Sequence, residues 1–558
     1  MNYLIDGASP SDTCGLAAAA RSESLSEAHR IVLPVTIVVS FRERWRFTPL
    51  AIETIIKNTS GNYALWLLDS GMPDEIGRAL RPYVEAGKLE IIEVRPGLQP
   101  NDVRGQVVSR LMSSFAVFID NDAIVSSGWL DRMVACAEET GAGIVCPLYL
   151  WGDKPESDLI HMAGGDLSLV PENGGVRMTE HHRHLSRTVS EVSDELRRET
   201  CGFGEYHCLL MRREVYSIDG IFDPDVVTVH EHIHASLKAK ALGYATWFEP
   251  EAQVNHLASA PWTVGELYEL RRRWDFATAQ RSLEGFAKKW GVIDDPAYRH
   301  FPLNFVTSYV GQADMLDARP WLGVKRERLM TRQDLQETFG GWEWLAIESG
   351  YAIEDVEIFA NAYLVAVEHT NGVYRPCGRP FVNHLVGTAS VLLFYGCPMR
   401  LILAGLLHGL FGPGATVSSA NADRAFEQVS NLGSAGGQAA ELIQLYSERA
   451  RLLDEVARGG KELAELPVQI AGLYLLEAAN EIDMHLSFEV AVSARSDLMT
   501  EKRLCECHEL LESIGLTGLA ATLQRVRQNV VELPNVNFQG GGAGSFCFSG
   551  GRIVSAYG

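Results

Sequence analysis

The run Ile31 to Phe41 (IVLPVTIVVSF) is β-branched and apolar at successive positions, so a strand made from it has to be covered on both faces. Shorter runs of the same kind follow at Ala64 to Leu68, Leu89 to Val94, Phe115 to Ile119 and Gly143 to Leu150, with helix-like segments at Pro49 to Asn58 and Ser126 to Glu139 between them. Strands that need cover on both sides and alternate with helices predict an α/β domain with a Rossmann-like, mostly parallel sheet. Ligands of such sheets lie beyond the carboxyl ends of the strands. The polar residues that directly follow the runs are therefore the first site candidates: Arg42 to Arg44, Asp69, and Asp120 to Asp122.

A chain of 558 residues is too long for one core, and the pattern changes along it. Residues 1 to 30 read as a loose leader, 31 to 330 as the α/β domain and 331 to 533 as an all-α domain. Apolar spacing of period 3.6 recurs in the all-α part at Trp344 to Glu368, Phe381 to Tyr395, Met399 to Phe411, Ala439 to Val456, Leu466 to Ser487 and Lys502 to Val531. Residues 534 to 558 are glycine-rich and read as a flexible tail. The most apolar stretch, Leu385 to Phe411, is interrupted by Arg400, His408 and several glycines, which suits buried helices and not a membrane span. A net charge of −22 opposes a nucleic-acid role. The first thirty residues have no basic, then apolar, signal pattern, so a cytoplasmic protein is expected. Cys505, Cys507 and His508 form the one cysteine cluster worth testing as ligands, but on a helical pattern without a second pair they read as ordinary thiols.

The sharpest motif is Val117-Phe118-Ile119-Asp120-Asn121-Asp122, in which two carboxylates separated by one residue end a buried strand. Paired carboxylates suit Mg2+ or Mn2+, whose open positions accept diphosphate oxygens, although Asp and Asn also favour the turn after a strand. Downstream come Ser127-Gly128-Trp129-Leu130, Ile218 to Asp225, His230-Glu231-His232, Leu242-Gly243-Tyr244, Val254-Asn255-His256 and Phe286 to Gly291. In that order the segment from about residue 33 to 291 resembles the family-2 glycosyltransferases of the GT-A fold. The resemblance implies a metal-dependent, inverting, non-processive transfer of a sugar from a UDP- or GDP-sugar. It makes Asp122 the principal metal ligand, Asp120 a ribose or metal contact, His256 the completing ligand and Asp69 the nucleobase contact, with Glu43 and Arg104 as further nucleotide contacts. Where the family has Glu-Asp at a helix start this chain has Glu231-His232, which names Glu231 as the general base and His232 as its rival. The acceptor, whether glycan, lipid, small molecule or peptide, has no readable code, and the stretch Trp151 to Arg198 is expected to be loop.

In the second half, Arg375 to His384, then Leu403 to Gly409, then Leu475 to Asp483 resemble the HD phosphohydrolase superfamily. The resemblance implies a metal or nucleotide site at His384, His408 and Asn480, with Asp483 as a substitute. The pattern departs at two ligands: the Asp of the His-Asp pair is Gly409, and the later acid is Asn480. An accessory domain that positions acceptor or assembles an oligomer is the expectation. An active phosphohydrolase, and a nucleotide-sugar-binding regulator with a degenerate transferase site, are the alternatives.

Overall fold

The computed structural model describes residues 34–154, 156–313, 316, 327–375, 377–411, 422–459, 462–490, 499–528 and 552–553. The leader, and the glycine-rich tail apart from Arg552 and Ile553, lie outside the described residues.

The first half is built on one sheet. Its strands are β1 (Val35–Ser40), β2 (Tyr63–Asp69), β3 (Glu90–Glu93), β4 (Phe115–Asp120), β5 (Ala123–Val125), β6 (Ile144–Trp151), β7 (Ile160–Met162), β10 (Glu199–Cys201), β11 (Cys208–Arg212) and β12 (Thr246–His256). A separate hairpin is formed by β8 (Gly165–Glu172) and β9 (Gly175–His182). The sheet order is β10-β12-β6-β11-β4-β1-β2-β3, with β5 beside β12 and β7 beside β6. Every residue of β1 and β4 is buried, as two-sided apolar runs require. Each fully buried Val, Ile or Phe contributes about 1.5–3 kcal/mol, so these two central strands anchor the domain.

The sheet is mixed and not wound throughout in parallel. Strands β3, β2, β1 and β4 are parallel, but β11 enters antiparallel between β4 and β6. An apolar run such as Cys208 to Met211 signals burial and carries no information about direction. The expected loop from Trp151 to Arg198 also contains structure, namely β7 and the hairpin β8–β9. Most of β8 is exposed, so it lacks the alternation that marks a half-buried strand.

Helices α1 (Thr48–Asn58), α2 (Asp74–Glu85), α3 (Pro100–Val107) and α4 (Trp129–Thr140) connect the strands, with the short α5 (Val189–Val192) and α6 (Arg213–Tyr216) beyond them. Gly128, at φ 70°, caps α4 in the left-handed region, and Trp129 behind it is fully buried with its indole N–H donating to Thr59 Oγ1 at 3.0 Å. Helix α7 (Glu231–Ala241) follows the loop 217–230, and α8 (Leu267–Arg273) and α9 (Phe276–Trp290) follow β12. Helix α9 holds that loop in place: Ser282 Oγ accepts from the N–H groups of Thr228 and Val229, Lys289 pairs with Asp223, and Trp290 donates to His234 Nδ1.

After α10 (Pro296–Ala313) the second half is helical: α11 (Phe339–Glu348), α12 (Ile353–Thr370), α13 (Phe381–Phe394), α14 (Met399–Leu407), α15 (Ala422–Ser430), α16 (Gly433–Ser447), α17 (Arg449–Gly459), α18 (Val468–Leu486), α19 (Glu501–Ser513) and α20 (Thr517–Gln528). The apolar stretch 385–411 forms α13 and α14, both buried nearly throughout, and no described helix is long and apolar enough to cross a membrane. The helical core also takes in Trp262, Val264, Leu267 and Leu270 from the segment after β12. Val264 N–H donates to Leu466 O and Val468 N–H to Trp262 O, so the two halves are joined by backbone pairing as well as by packing.

A β-carbon added at Gly285 in α9 would lie 2.2 Å from the carbonyl oxygen of Asp225. Gly285→Ala is therefore expected to lower stability by about 1–3 kcal/mol, read as a lower denaturation midpoint of the full chain. An unchanged midpoint would show that α9 does not clamp the 217–230 loop.

Candidate active site

Strand register brings the candidate residues to one edge. Ser40 of β1 pairs with Leu68 of β2 on one side and with Asp120 of β4 on the other, so Arg42, Glu43, Asp69 and Asp120 all lie at the carboxyl end of the parallel strands. His256 pairs with Ala123 where β12 runs antiparallel to β5, which sets it beside Asp122. Because β11 runs antiparallel to β4, with Cys208 opposite Ile119, His207 sits opposite Asp120 and its carbonyl accepts from Asp120 N–H at 3.3 Å.

Asp120 is fully buried and ionised. Burial alone would raise its pKa, but Arg42 and His207 outweigh that and hold it well below the ordinary carboxylate range. Arg42 Nη1 binds its Oδ2, His207 Nδ1 lies 2.9 Å from the same oxygen, and Arg104 Nη2 is 3.8 Å from Oδ1. An ionised carboxylate only accepts, so His207 carries its proton on Nδ1. Burial lowers the pKa of His207 to about 4, so the ring is neutral at pH 7. Asp120 Oδ1 is buried and has no hydrogen-bond partner.

Asp122 and His256 form a second pair, Oδ2 to Nε2 at 3.1 Å. Burial opposes charge on His256, yet the Asp122 carboxylate prevails and raises its pKa. A carboxylate and an imidazole sharing a proton are a donor set that a divalent cation takes in the proton's place, and with Asp120 Oδ1 nearby these residues fit a hard or borderline metal. Asn121, between the two acids, is buried and structural: it accepts from Arg42 N–H and donates to Thr48 Oγ1.

Around these pairs lie Glu43, Arg104, Tyr206, Glu231 and Arg273, all buried. Glu43 Oε1 accepts from the Trp274 indole at 3.0 Å, and its acidity is increased by Arg42 and Arg273 against the effect of burial. Burial pushes the Arg273 guanidinium down to about 10, and its Nη2 lies 3.7 Å from Glu231 Oε1. Glu231 begins α7, after His230 held at φ 62°, and His232 Nδ1 is 3.9 Å from Glu231 Oε2. Several buried polar atoms here have no hydrogen-bond partner: Arg104 Nε and Nη1, Tyr206 Oη, Glu231 Oε2, His232 Nε2, and Arg273 Nε and Nη1. Buried polar atoms are nearly always paired, so this concentration marks a place built for a polar ligand. Asp69 uses one oxygen to accept from Gly71 and Met72 N–H, leaving the other for a ligand.

Sequence reasoning did not single out His207, Tyr206 and Arg273 as site residues, because only the pairing of β11 and the packing of α8 carry them in. It noted Arg42 only as a residue after a strand.

In the helical half, His384 Nδ1 lies 2.6 Å from Asp483 Oδ2 and the His408 ring is 5.3 Å from that of His384. Both oxygens of Asp483 are also held by Arg379, each at 2.8 Å. A β-carbon at Gly409 would lie 2.6 Å from Phe381 Cζ, so the missing Asp of the pair has no room. Among the described residues no hydrogen bond joins Asn480 to His384 or His408. Cys507 is buried with its thiol donating to Tyr474 O, while Cys505 is exposed, so these cysteines point apart.

Residues 36–217, within the sheet half of the chain, match the model of glycosyl transferase family 2. The protein y4gI of Sinorhizobium fredii (strain NBRC 101917 / NGR234), itself uncharacterised, is 23% identical over 272 residues, which cover 47% of this chain and 28% of that protein. The chain thus spans well under half the length of that relative. Among solved structures, GalNAc-T7 with UDP, GalNAc and Mn2+ aligns over 51% of this chain and 57% of its own, at 17% identity and a TM-score of 0.33. The mannosyltransferase PcManGT from Pyrobaculum calidifontis with GDP-Man and Mn2+ aligns over 51% and 71%, at 15% identity and a TM-score of 0.32.

Removing Arg42 would leave Asp120 buried without its main counter-charge. Arg42→Met is expected to cost about 3–5 kcal/mol of stability, whereas Arg110→Met, which breaks a half-exposed contact with Glu90, should cost under about 1 kcal/mol. Equal denaturation midpoints for the two variants would remove Arg42 from this role.

Proposed function

We propose that the sheet domain transfers a sugar from a UDP- or GDP-sugar to an acceptor hydroxyl or thiol, with inversion at the anomeric carbon and one transfer per encounter. The observation that carries the reading is the Asp122–His256 pair set among buried, unpartnered polar atoms at the carboxyl edge of a family-2 sheet. Asp122 and His256, with Asp120 Oδ1, would hold Mn2+ or Mg2+. When bound, the cation supplies positive charge against the leaving diphosphate.

The chain's own groups do the rest. Arg104 and Arg273 offer guanidinium N–H groups to phosphate or ribose oxygens from a site that excludes water, where each such contact is strengthened. Asp69 and Glu43 stand at the strand ends where the nucleoside would lie. Glu231 takes the proton of the acceptor as its oxygen or sulfur bonds to the anomeric carbon and the bond from that carbon to the diphosphate breaks. His232, whose Nε2 is unpartnered, is the alternative base. The helical half is read as accessory: it packs on the segment 262–270 that follows the metal-binding strand. The Arg379 clamp on Asp483 and the crowding at Gly409 speak against a hydrolytic metal centre there.

A thermal-shift screen of UDP-, GDP-, dTDP- and CMP-sugars with Mn2+ should give a metal-dependent rise in melting temperature with one donor class, absent in Asp122→Ala. No shift with any donor would count against the reading. With that donor, Glu231→Gln should lower kcat by about 100-fold or more while leaving donor binding in place; an unchanged kcat, with loss in His232→Ala instead, would move the base to His232.

A further inference from the structure

Beside the proposed donor site lies a group of ligands that the transfer chemistry does not use. Glu205 Oε2 is 2.7 Å from His161 Nε2 and 3.5 Å from His207 Nε2, and Glu205 Oε1 is 3.6 Å from His182 Nε2. One ligand atom from each of His161, Glu205 and His207 lies within 4.8 Å of the others, the only such trio among the described residues. We propose that His161, Glu205 and His207, with His182 as a fourth ligand, bind a transition-metal ion of the zinc class at a site separate from Asp122 and His256.

The second contacts of these residues support the assignment. His207 gives Nδ1–H to Asp120, which leaves the lone pair of Nε2 directed at Glu205; a carboxylate behind the far nitrogen of an imidazole is how metal-binding histidines are usually oriented. Glu205 is pinned by its backbone, since its N–H donates to Tyr149 Oη while its carbonyl accepts from the same hydroxyl. His161 Nδ1 has no partner, so the proton of that ring can pass to Nδ1 and free Nε2 for the metal. The ligands come from β7, the end of β9 and the turn before β11, so an ion here would tie three separate segments together. Three imidazoles and one carboxylate in a four-coordinate set favour zinc over magnesium, which prefers an all-oxygen octahedron. The ion would fix His207, and through it the Asp120 oxygen that Arg42 also binds.

The proposal is tested on the full chain without any sugar donor, so that its failure is separate from failure of the transferase reading. Protein purified in zinc, dialysed and measured by elemental analysis should hold about one zinc per chain in the wild type and in Asp122→Ala, and none in Glu205→Gln or His161→Asn. After chelation, added zinc should raise the melting temperature of the first two and not of the last two. Far-UV circular dichroism identifies any variant that fails to fold, and the other ligand variant then decides. No retained zinc in the wild type, or zinc kept in a folded Glu205→Gln or His161→Asn, would overturn the site. Zinc lost in Asp122→Ala alone would assign it to the Asp122–His256 pair instead.

Discussion

The carboxylate of Asp120 is an anion with no access to water at the end of a central strand, and the layout of the domain around it is a response to that fact. An unpaired buried charge costs several kcal/mol, so Asp120 can stay ionised only if cations and donors are brought to it. Arg42 comes from just after β1, Arg104 from α3 and His207 from the turn that leads into the antiparallel strand β11. Each belongs to a different element, so the sheet order, the reversed direction of β11 and the packing of α3 are all needed to satisfy one side chain. Oδ1 is left without a hydrogen-bond partner, with Arg104 Nη2 3.8 Å away.

The same economy of partners separates the two halves of the chain. In the sheet domain, polar atoms of Arg104, Tyr206, Glu231 and Arg273 are buried and unpaired, a condition that a folded protein sustains at a place where a ligand binds. In the helical half, the acid of the corresponding cluster is already engaged. Asp483 is shared by Arg379 and His384, a β-carbon at Gly387 would collide with Asp483, and Gly409 fits only because it has no side chain against Phe381. Both oxygens of the helical cluster's acid are thus taken up, while those buried polar atoms of the sheet domain have no hydrogen-bond partner.

Contact between the halves runs through the segment that follows His256. Arg44 reaches the carbonyls of Ala258 and Ala260, Trp45 donates to Gly265 O, and Arg46 pairs with the buried Glu266. The next residues, from Val264 to Leu270, are part of the helical core. The rim of the site is thus held on one side by the loop after β1 and on the other by the helices.

Local pattern was enough to determine the buried strands β1 and β4, the acidic pair at the end of β4 and the helical character of the second half, because strand burial and apolar spacing are properties of neighbouring residues; the candidate His256 came only from the resemblance to family-2 glycosyltransferases. The same resemblance named Glu231, which stands at the start of α7. What it could not determine was which distant residues complete the site. The direction of β11 decided that His207 stands opposite Asp120, and the folding back of β7 and β9 decided that His161 and His182 join Glu205. Strand direction and sheet neighbours depend on pairing across large sequence separations, and an apolar run looks the same whichever way it points; only the tertiary structure carries that information.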